Sequence, residues 1–459
     1  MEGSREEKVA AAIVNTWKSR FRGTLFTKSD EGYDAARRIW NGMIDRRPAV
    51  IARCATAEDV RTAVKLARSE ALPISIKGGG HGVAGTAVCE DGLMIDLSGM
   101  KGVIVNASAR EAFAAPGVLW GEFDAATQAH GLATTGGQVS HTGIAGLTLG
   151  GGLGYLMGKH GAACDNVISL DVVTCDGESL VASEEQNADL FWAMRGAGAN
   201  FGIVTSFRYC LHPLEQVLAG MLLYPRQQAG ELIAFHREFL AGSPDELDTT
   251  VGFLNSPDGI PLVGIIAVWA ADIAEGERVL EPLRKFGSPV ADLISPMAYT
   301  AVQSMLDDAV PVGNRYYWKS NFVSELAPGL IEALENGANA MPSPLSMVLL
   351  FEVKGQLRRV PKDAMAFDHR NVGFEMSIIA NWTEAAQDAA NIEWARGVWN
   401  AAQPYVMSAV YTNHLTADES ADRVRVAYGA DKYKRLATLK NKYDPDNFFR
   451  LNHNVVPQA

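Results

Sequence analysis

Three glycine-rich segments constrain this chain more than any other feature of its sequence. They occupy residues 78–85 ("GGGHGVAG"), 143–154 ("GIAGLTLGGGLG") and 196–202 ("GAGANFG"). Glycine is used where the backbone needs a positive φ or where a ligand must approach it closely. Successive backbone N–H groups in such loops form concavities that bind anions. The three segments therefore predict loops that hold a phosphate-bearing cofactor.

The common nucleotide-binding motifs do not fit these loops. Gly80, Gly82 and Gly85 match the spacing GxGxxG after a predicted strand, but the segment that follows is too short for the required helix. No acidic residue lies about 20 positions further on to bind a ribose. No glycine-rich segment ends in Gly-Lys-Ser/Thr, so a P-loop is excluded. The sequence predicts a dinucleotide site outside the Rossmann fold.

Composition narrows the class of protein. The chain has 459 residues, which predicts two or three domains. Its net charge of −12, from 41 basic and 53 acidic residues, disfavours nucleic-acid and membrane partners. The N-terminal segment has no signal-peptide pattern, and no HExxH motif or Cys/His cluster predicts a metal site. We expect a reduced, cytoplasmic protein because its five cysteines are scattered: Cys54, Cys89, Cys164, Cys175 and Cys210.

The pattern of elements changes along the chain. Up to residue 211, short apolar strands alternate with helices, and Thr56 and Asp59 have the spacing of a capping box. From residue 212, longer strands such as "LVGIIAVWA" and "GFEMSIIANW" predict a second domain with a mostly antiparallel sheet. From residue 405, an aromatic tail ending in "KYDPDNFFRLNHNVVP" predicts a segment that packs onto another part of the molecule.

Four segments in the same order resemble one family. They are "PISIKGGGHGVAG", "SHTGIAGLTLGGGLGYLMGKHGAACDNV", "NADLFWAMRGAGANFGIVTSF" and "KYDPDNFFRLNHNV". They resemble the FAD-linked oxidases of the vanillyl-alcohol-oxidase type, in the berberine-bridge-enzyme-like branch, and are most similar to its bacterial nicotine-oxidising and polyketide-tailoring members. The resemblance runs from about residue 36 to residue 456, nearly the whole chain. Each motif alone is weak, but the ordered set is specific.

The resemblance implies an α+β fold and FAD as the cofactor. The FAD-binding domain, of the PCMH type, would be built from residues 1–211 and 405–459, and an antiparallel-sheet substrate domain from residues 212–404 would be inserted between them. This division agrees with the change of pattern at residue 212 and with the packed tail.

His81 occupies the position at which the family bonds a histidine to the 8α-methyl carbon of the flavin. Many relatives form a second link through a cysteine, and Val139 stands at that position here. The resemblance therefore implies covalent attachment through His81 only. Thr142 lies where relatives control the access of oxygen to the flavin, and its small side chain favours an oxidase over a dehydrogenase. A histidine that is merely hydrogen-bonded in a turn is the alternative to the link.

The resemblance and the glycine loops together predict a set of residues that contact FAD. The set is Lys77, Gly78, Gly79, Gly80, His81, Gly82, Ser140, His141, Thr142, Gly143, Gly146, Gly150, Gly151, Gly152, Gly154, Tyr155, Asn166, Val204, Asn452 and Asn454.

Two features predict the catalytic residues. One is a carboxylate in an apolar strand, and the other is a segment that resembles the family's "YxNY" motif. Glu352 lies in "LLFEVKG", where an unpaired carboxylate is costly. The motif reads "YTNH", from Tyr411 to His414, so the position of the family's tyrosine base holds a histidine, the usual general base at neutral pH. A Glu352–His414 pair, with Tyr411 nearby, is the resulting hypothesis. Alternatively, Glu352 pairs with Lys354 or Arg358 and His414 lies at the surface.

Four residues are predicted to face the substrate: Asn166, Glu375, Ser377 and Asn413. Tyr411 and Asn413 are expected to share one face of a strand. The expected activity is oxidation of a small organic alcohol, amine, phenol or polyketide-like molecule by molecular oxygen, in a monomer or homodimer. A flavin dehydrogenase or bond-forming enzyme of the same family, and a flavin-binding protein without turnover, remain alternatives.

Overall fold

The computed structural model describes Val14 and residues 16–458. The N-terminal segment in which no signal peptide is predicted lies largely outside the described residues. The first part of the chain contains the strands β1 (Thr24–Phe26), β2 (Val50–Arg53), β3 (Ile74–Lys77), β4 (Leu93–Asp96), β5 (Val103–Asn106), β6 (Glu111–Ala114), β7 (Leu132–Ala133), β8 (Val167–Val173), β9 (Ser179–Ser183), β10 (Ile203–Cys210) and β11 (His212–Pro213). Its helices are α1 (Tyr33–Arg37), α2 (Ala57–Ser69), α3 (Trp120–Gln128), α4 (Ile144–Leu149), α5 (Met157–His160) and α6 (Ala188–Ala197).

Two sheets organise this first part. A four-stranded sheet has the order β1-β2-β4-β3, with β2 and β3 parallel to β4. A five-stranded antiparallel sheet has the order β5-β6-β10-β8-β9. The first glycine segment begins directly after β3, and the second includes α4, so the sheets place both glycine segments at defined positions.

Helix α2 forms as its sequence predicts. The Asp59 backbone N–H donates to Thr56 Oγ1 over 3.2 Å, and the Thr56 N–H donates to the Asp59 carboxylate over 3.1 Å. This capping box satisfies two N–H groups that have no acceptor within the helix. The apolar face of α2, including Val60 and Val64, is fully buried. The predicted capping box is confirmed.

The middle of the chain forms a large antiparallel sheet. Its strands are β12 (Gln216–Pro225), β13 (Leu247–Asn255), β14 (Pro261–Trp269), β15 (Ala291–Asp292), β16 (Ser295–Ala298), β17 (Arg315–Val323), β18 (Met347–Glu352) and β19 (Phe374–Trp382). Its helices are α7 (Ala229–Leu240), α8 (Ile273–Lys285), α9 (Tyr299–Gln303), α10 (Pro328–Asn339), α11 (Gln356–Arg359) and α12 (Asp388–Ala402). The order is β15-β12-β14-β13-β18-β19-β17, and β16 also pairs with β12. The α+β class and the antiparallel sheet are confirmed; residues 212–213 still pair with β7 of the first part.

The sheet has two buried faces. One face packs under α7, α10 and α12 in an extensive apolar cluster that includes Val251, Leu350 and Met376. The other face turns toward the first part of the chain, where Leu349 and Phe351 lie in a separate cluster with residues of that part. Because both faces are covered, β18 and β19 are buried along their whole length.

The end of the chain returns to the first part. Helices α13 (Ala421–Tyr428) and α14 (Ala430–Tyr443) precede a tail that packs beside Asn200. The Asn200 side chain donates to the His453 carbonyl over 3.3 Å and accepts from the Val455 N–H over 2.8 Å. The expected packing of the tail is therefore observed. Within the described residues, no helix combines the length and the apolar character that a membrane crossing requires.

His236 on α7 provides a test of pH-dependent stability. It is fully buried, and burial lowers its pKa to about 3, with Lys354 adding to the effect. Below about pH 6.5 the His236 imidazole is protonated in the unfolded chain but stays neutral in the folded chain. The free energy of unfolding of the wild type therefore falls as the pH drops below about 6.5. We expect His236→Gln to remove this loss. Between about pH 7.5 and about pH 5, the free energy of unfolding should fall by about 2 kcal/mol more in the wild type than in the variant.

Thermal unfolding of both proteins at the two pH values measures this change, and His130→Gln, at an exposed position, is the matched control. Parallel pH profiles for wild type and His236→Gln would contradict the prediction.

Candidate active site

A cavity of about 290 Å³ lies between the first part of the chain and the large sheet. All three glycine segments line it, so the fold brings them together at one place. The sequence-predicted residues that line the cavity are Gly78, Gly79, Gly80, His81, Gly82, Thr142, Gly143, Gly146, Gly150, Glu375, Tyr411, Asn413, His414 and Asn452.

The first two glycine segments touch through their backbones. A Cβ placed on Gly79 would lie 2.6 Å from the Gly143 backbone, so neither position accepts a side chain at this contact. At Gly82 and Gly146 an added Cβ would meet nothing within 4 Å, because these positions border open space. Backbone N–H groups of residues 79–82 donate to no acceptor in the described part of the chain. Unengaged donors around open space are what an anionic, closely held cofactor such as FAD requires.

His81 lies in this cavity as an uncharged imidazole. Burial lowers its pKa to about 3, and the nearby His141 and His414 act in the same direction. Its ring stacks on Trp40 at a centroid distance of 4.3 Å and on His141 at 5.0 Å. A neutral imidazole has a lone pair on one ring nitrogen, so His81 meets the chemical requirement for a bond to the flavin methyl carbon.

His414 is paired with Glu375. The distance from His414 Nδ1 to Glu375 Oε1 is 2.9 Å, and the Glu375 side chain is fully buried. Ser377 Oγ donates to both carboxylate oxygens, at 3.1 and 2.9 Å, and lies 3.0 Å from His414 Nδ1. Trp318 meets the imidazole edge-on at 4.9 Å. With Nδ1–H donated to the carboxylate, Nε2 is left to accept a proton.

The predicted Glu352–His414 pair is wrong. Glu352 is an ion-pair partner of Lys354 at 3.0 Å and accepts from Thr249 Oγ1 at 3.3 Å. It lies on the helix-covered face of the sheet, because strand neighbours alternate between faces and Phe351 shares the cavity face with Glu375. The pairing of Glu352 with Lys354 is the alternative that the sequence had left open, but His414 is part of the cavity wall and not a surface residue.

Tyr411 and Asn413 do not lie on a strand as expected. Residues 412–414 form a short 3₁₀ turn instead. The Tyr411 hydroxyl accepts from the N–H groups of Gly152 and Leu153, at 2.9 and 3.3 Å, and from Asn413 Nδ2 at 2.7 Å. Burial raises its pKa well above the usual value. Through these hydrogen bonds, Tyr411 connects the turn that contains His414 to the second glycine segment.

Several predicted cofactor residues are not brought to the cavity. Lys77 Nζ donates to two backbone carbonyls at the end of α1. Ser140 donates from its backbone N–H to Asp307 over 2.9 Å. Tyr155 is packed in an apolar cluster, and Val204 lies in the core of the five-stranded sheet. None of these four side chains lines the cavity.

Asn166, predicted for both cofactor and substrate, is also outside the cavity. It donates to two backbone carbonyls and accepts from His212 Nε2 at 2.7 Å. His141 and Asn454 do not line the cavity, although the His141 ring stacks on that of His81. Three glycines of the second segment are set back by packing against their neighbours: Gly151, Gly152 and Gly154.

Sequence reasoning missed three aromatic residues near the cavity. Trp318 and Phe351 line it, and Trp40 stacks directly on His81. In the sequence, Trp318 and Phe351 are ordinary apolar residues of buried strands, so only their shared sheet face distinguishes them. Trp40 carries no motif of the cofactor loops. Among the described residues that line the cavity, none is Lys, Arg or Cys.

Comparison with known proteins agrees with the site. Residues 48–183 match the FAD binding domain family, and residues 410–456 match the berberine and berberine-like family. The chain is 31% identical to an FAD-linked oxidoreductase of Dictyostelium discoideum, over 99% of each chain. It is 28% identical to the (R)-6-hydroxynicotine oxidase of Paenarthrobacter nicotinovorans, over 95% of this chain and 97% of that relative.

Solved structures show the same architecture. The crystal structure of 6-hydroxy-D-nicotine oxidase from Arthrobacter nicotinovorans has a TM-score of 0.87 at 28% identity and covers 95% of this chain and 98% of its own. The berberine-bridge-enzyme-like protein 1 of Physcomitrella patens has the same fold, with a TM-score of 0.88 at 20% identity over 97% of this chain and 99% of its own. The chain therefore belongs to the FAD-linked oxidoreductases of the berberine-bridge-enzyme-like branch of the vanillyl-alcohol-oxidase type, and FAD is its cofactor.

Proposed function

We propose that this protein is an oxidase that carries FAD bonded to His81 alone and transfers electrons from a small organic substrate to molecular oxygen. The observation that best supports this proposal is that the Glu375–His414 pair and the neutral His81 line one cavity. The substrate class is a small alcohol, amine, phenol or polyketide-like molecule. The relative named (R)-6-hydroxynicotine oxidase, similar over nearly its whole length, supports an oxidase that acts on a small molecule.

FAD held by the glycine segments that line the cavity would supply a two-electron acceptor for a hydride from the substrate. His414 takes the accompanying proton at Nε2, and the buried Glu375 carboxylate stabilises the imidazolium that results. Ser377 holds the carboxylate in place. Trp318 and Phe351 form an apolar wall that keeps water away from the reacting atoms.

In an oxidase, the two electrons and two protons removed from the substrate would pass to molecular oxygen and give hydrogen peroxide. Thr142 lines the cavity with a small side chain, which supports access for oxygen. Anaerobic bleaching of the flavin against a panel of alcohols, amines and phenols identifies a reducing compound, and peroxide release in air then tests the oxidase proposal. Fast bleaching without oxygen consumption would overturn it in favour of a dehydrogenase.

Removing the imidazole of His81 tests the proposed link. We expect the wild-type flavin to stay with the chain through acid precipitation and the His81→Ala flavin to be released completely, because no second link remains. Val139 stands in the cavity where a cysteine would be needed, and the five cysteines are free and absent from the cavity lining. Flavin absorbance of the precipitated chain measures the outcome. Flavin retained by denatured His81→Ala would contradict the single link.

A further inference from the structure

A column of four rings runs from the large sheet to the cofactor loops. Tyr316 on β17 stacks on Trp40 at a centroid distance of 3.7 Å and an interplanar angle of 16°. Trp40 stacks on His81 at 4.3 Å and 15°, and His81 stacks on His141 at 5.0 Å and 28°. The imidazole of His81 therefore lies between an indole on one side and a second imidazole on the other.

Three hydrogen bonds fix the position of Trp40. Its backbone N–H donates to the carbonyl of Gly80, the neighbour of His81, over 3.0 Å. Its carbonyl accepts from the Gly313 N–H over 2.9 Å, and its indole Nε1–H donates to the Val310 carbonyl over 2.9 Å. Trp40 is only 2% exposed. The indole thus connects the loop that carries His81 to the segment before β17.

Asn41 continues this connection. Its amide Nδ2 donates to the carbonyls of Val83 and Tyr316, both over 3.0 Å, and its Oδ1 accepts from the Tyr316 N–H over 3.1 Å. The His81 loop and strand β17 are therefore bridged on both sides of the ring column. Trp40 and Asn41, which belong to none of the cofactor motifs, thus contact both the His81 loop and strand β17.

We propose that Trp40 is the positioning residue for flavin attachment, which it promotes by holding the His81 ring in a single orientation and shielding it from water. This inference rests on the proposed link at His81. Attachment forms a bond from an imidazole nitrogen to the 8α carbon and breaks the imidazole N–H bond and one 8α C–H bond. Of the four electrons in the two broken bonds, two form the new N–C bond. The other two, with the two protons, would pass through the flavin to molecular oxygen and yield hydrogen peroxide, so the step balances.

Shielding matters because only a neutral imidazole can form this bond. Burial is the main reason that the pKa of His81 falls to about 3, and the stacked indole of Trp40 covers one face of the ring. The titratable groups that face His81 are His141 and His414, and both lower its pKa further; Asp307 acts on His141 from its far side. Without the indole, water reaches the ring and the pKa of His81 returns toward its usual value near 6.5.

The test follows attachment in time. Full-length chain is purified from flavin-limited cells, FAD is added in air, and covalent flavin is read as fluorescence of the denatured chain in a gel. We expect Trp40→Leu to attach FAD at least about tenfold more slowly than wild type, because a loosely held ring seldom adopts the reactive geometry. Trp40→Phe, which keeps a flat ring over His81, should restore most of the rate.

The pH profile separates positioning from general damage to the fold. Wild type should attach FAD at a similar rate between about pH 5 and about pH 8, whereas Trp40→Leu should slow below about pH 6.5 as His81 takes up a proton. Trp192→Leu is the matched control, since Trp192 is also buried and also donates its indole N–H to a backbone carbonyl, that of Asp363, but its ring is not stacked on His81 as that of Trp40 is. It should lower the melting temperature without changing attachment.

Two results would overturn the proposal in different ways. Equal attachment rates and equal pH profiles for wild type and Trp40→Leu would remove Trp40 as the positioning residue while leaving the link intact. Absence of covalent flavin in the wild type, or its persistence in His81→Ala, would remove the link itself and with it the role of Trp40.

Discussion

Replacing Glu375 with glutamine is expected to slow flavin reduction at least about a hundredfold. Glutamine has nearly the same shape but no charge, so it cannot stabilise the imidazolium that forms when His414 accepts a proton. The effect should be large because the carboxylate is fully buried and its bond to His414 Nδ1 is 2.9 Å long. In the low dielectric of this site, loss of the charge is not compensated by water. Stopped-flow reduction without oxygen, using the panel compound that bleaches the wild type fastest, measures the rate.

Glu352→Gln provides the matched control. Glu352 is buried in the neighbouring strand of the same sheet, but it faces α7 and pairs with Lys354. Its replacement should affect stability and leave flavin reduction within about twofold of wild type, because the carboxylate touches no residue of the cavity wall. Ser377→Ala should give a smaller loss than Glu375→Gln, since one hydrogen bond to the carboxylate is removed and the charge remains. A Glu375→Gln protein with the wild-type rate would exclude the proposed role of Glu375 in stabilising the His414 imidazolium.

Replacing Lys440 with methionine is expected to destabilise the protein by about 3–5 kcal/mol. Lys440 lies on α14 and Asp444 directly follows the helix. Both side chains are fully buried, and Lys440 Nζ lies 2.6 Å from Asp444 Oδ2. Lys440 Nζ also donates to the carbonyls of Asn200 and Phe449, at 2.7 and 2.9 Å. The variant leaves the Asp444 carboxylate and two carbonyls without their common donor, and a buried charge without a partner is costly. Denaturant unfolding followed by circular dichroism measures the loss.

Lys440→Met should also weaken the binding of FAD. Phe449 lies just before the tail that brings Asn452 and His453 to the cavity, so loosening the Lys440 contacts frees this part of the wall. Lys442→Met, two residues along the same helix, is the control. Lys442 is 58% exposed and pairs with Asp189 at the surface, where such pairs contribute about 0–1 kcal/mol. Equal effects of the two variants would contradict the role assigned to the buried pair.

The sequence by itself determined the cofactor site to a large extent. Loops that bring backbone close to a cofactor require glycine, so their positions are visible without a structure, and the ordered motifs that include His81 and the tail at Asn452 identify the family. The strands of the large sheet were likewise predictable because their apolar runs are long. The capping box of Thr56 and Asp59 was visible because its interactions are local in sequence.

Only the tertiary structure decided which carboxylate serves His414. Glu352 and Glu375 lie on paired strands, and the register sets Phe351, not Glu352, opposite Glu375. Half-buried strands reveal their faces through alternating polar and apolar residues, but both of these strands are buried on both faces. The sequence therefore shows two equivalent buried carboxylates. Side-chain alternation in the folded sheet directs one toward the cavity and the other toward the helices.

The surroundings of His81 were decided in the same way. Trp40 lies 41 residues before His81 and Tyr316 far after it, and nothing local in the chain relates the three rings. The turn at Tyr411–His414 was expected to be a strand on which Tyr411 and Asn413 share a face. The chain instead forms a 3₁₀ turn there, and the Tyr411 hydroxyl contacts the Gly152 N–H. Local sequence determined the cofactor loops, whose chemistry is carried by the backbone. Long-range packing determined the catalytic pair and the ring column, because their side chains meet only after the two parts of the chain come together.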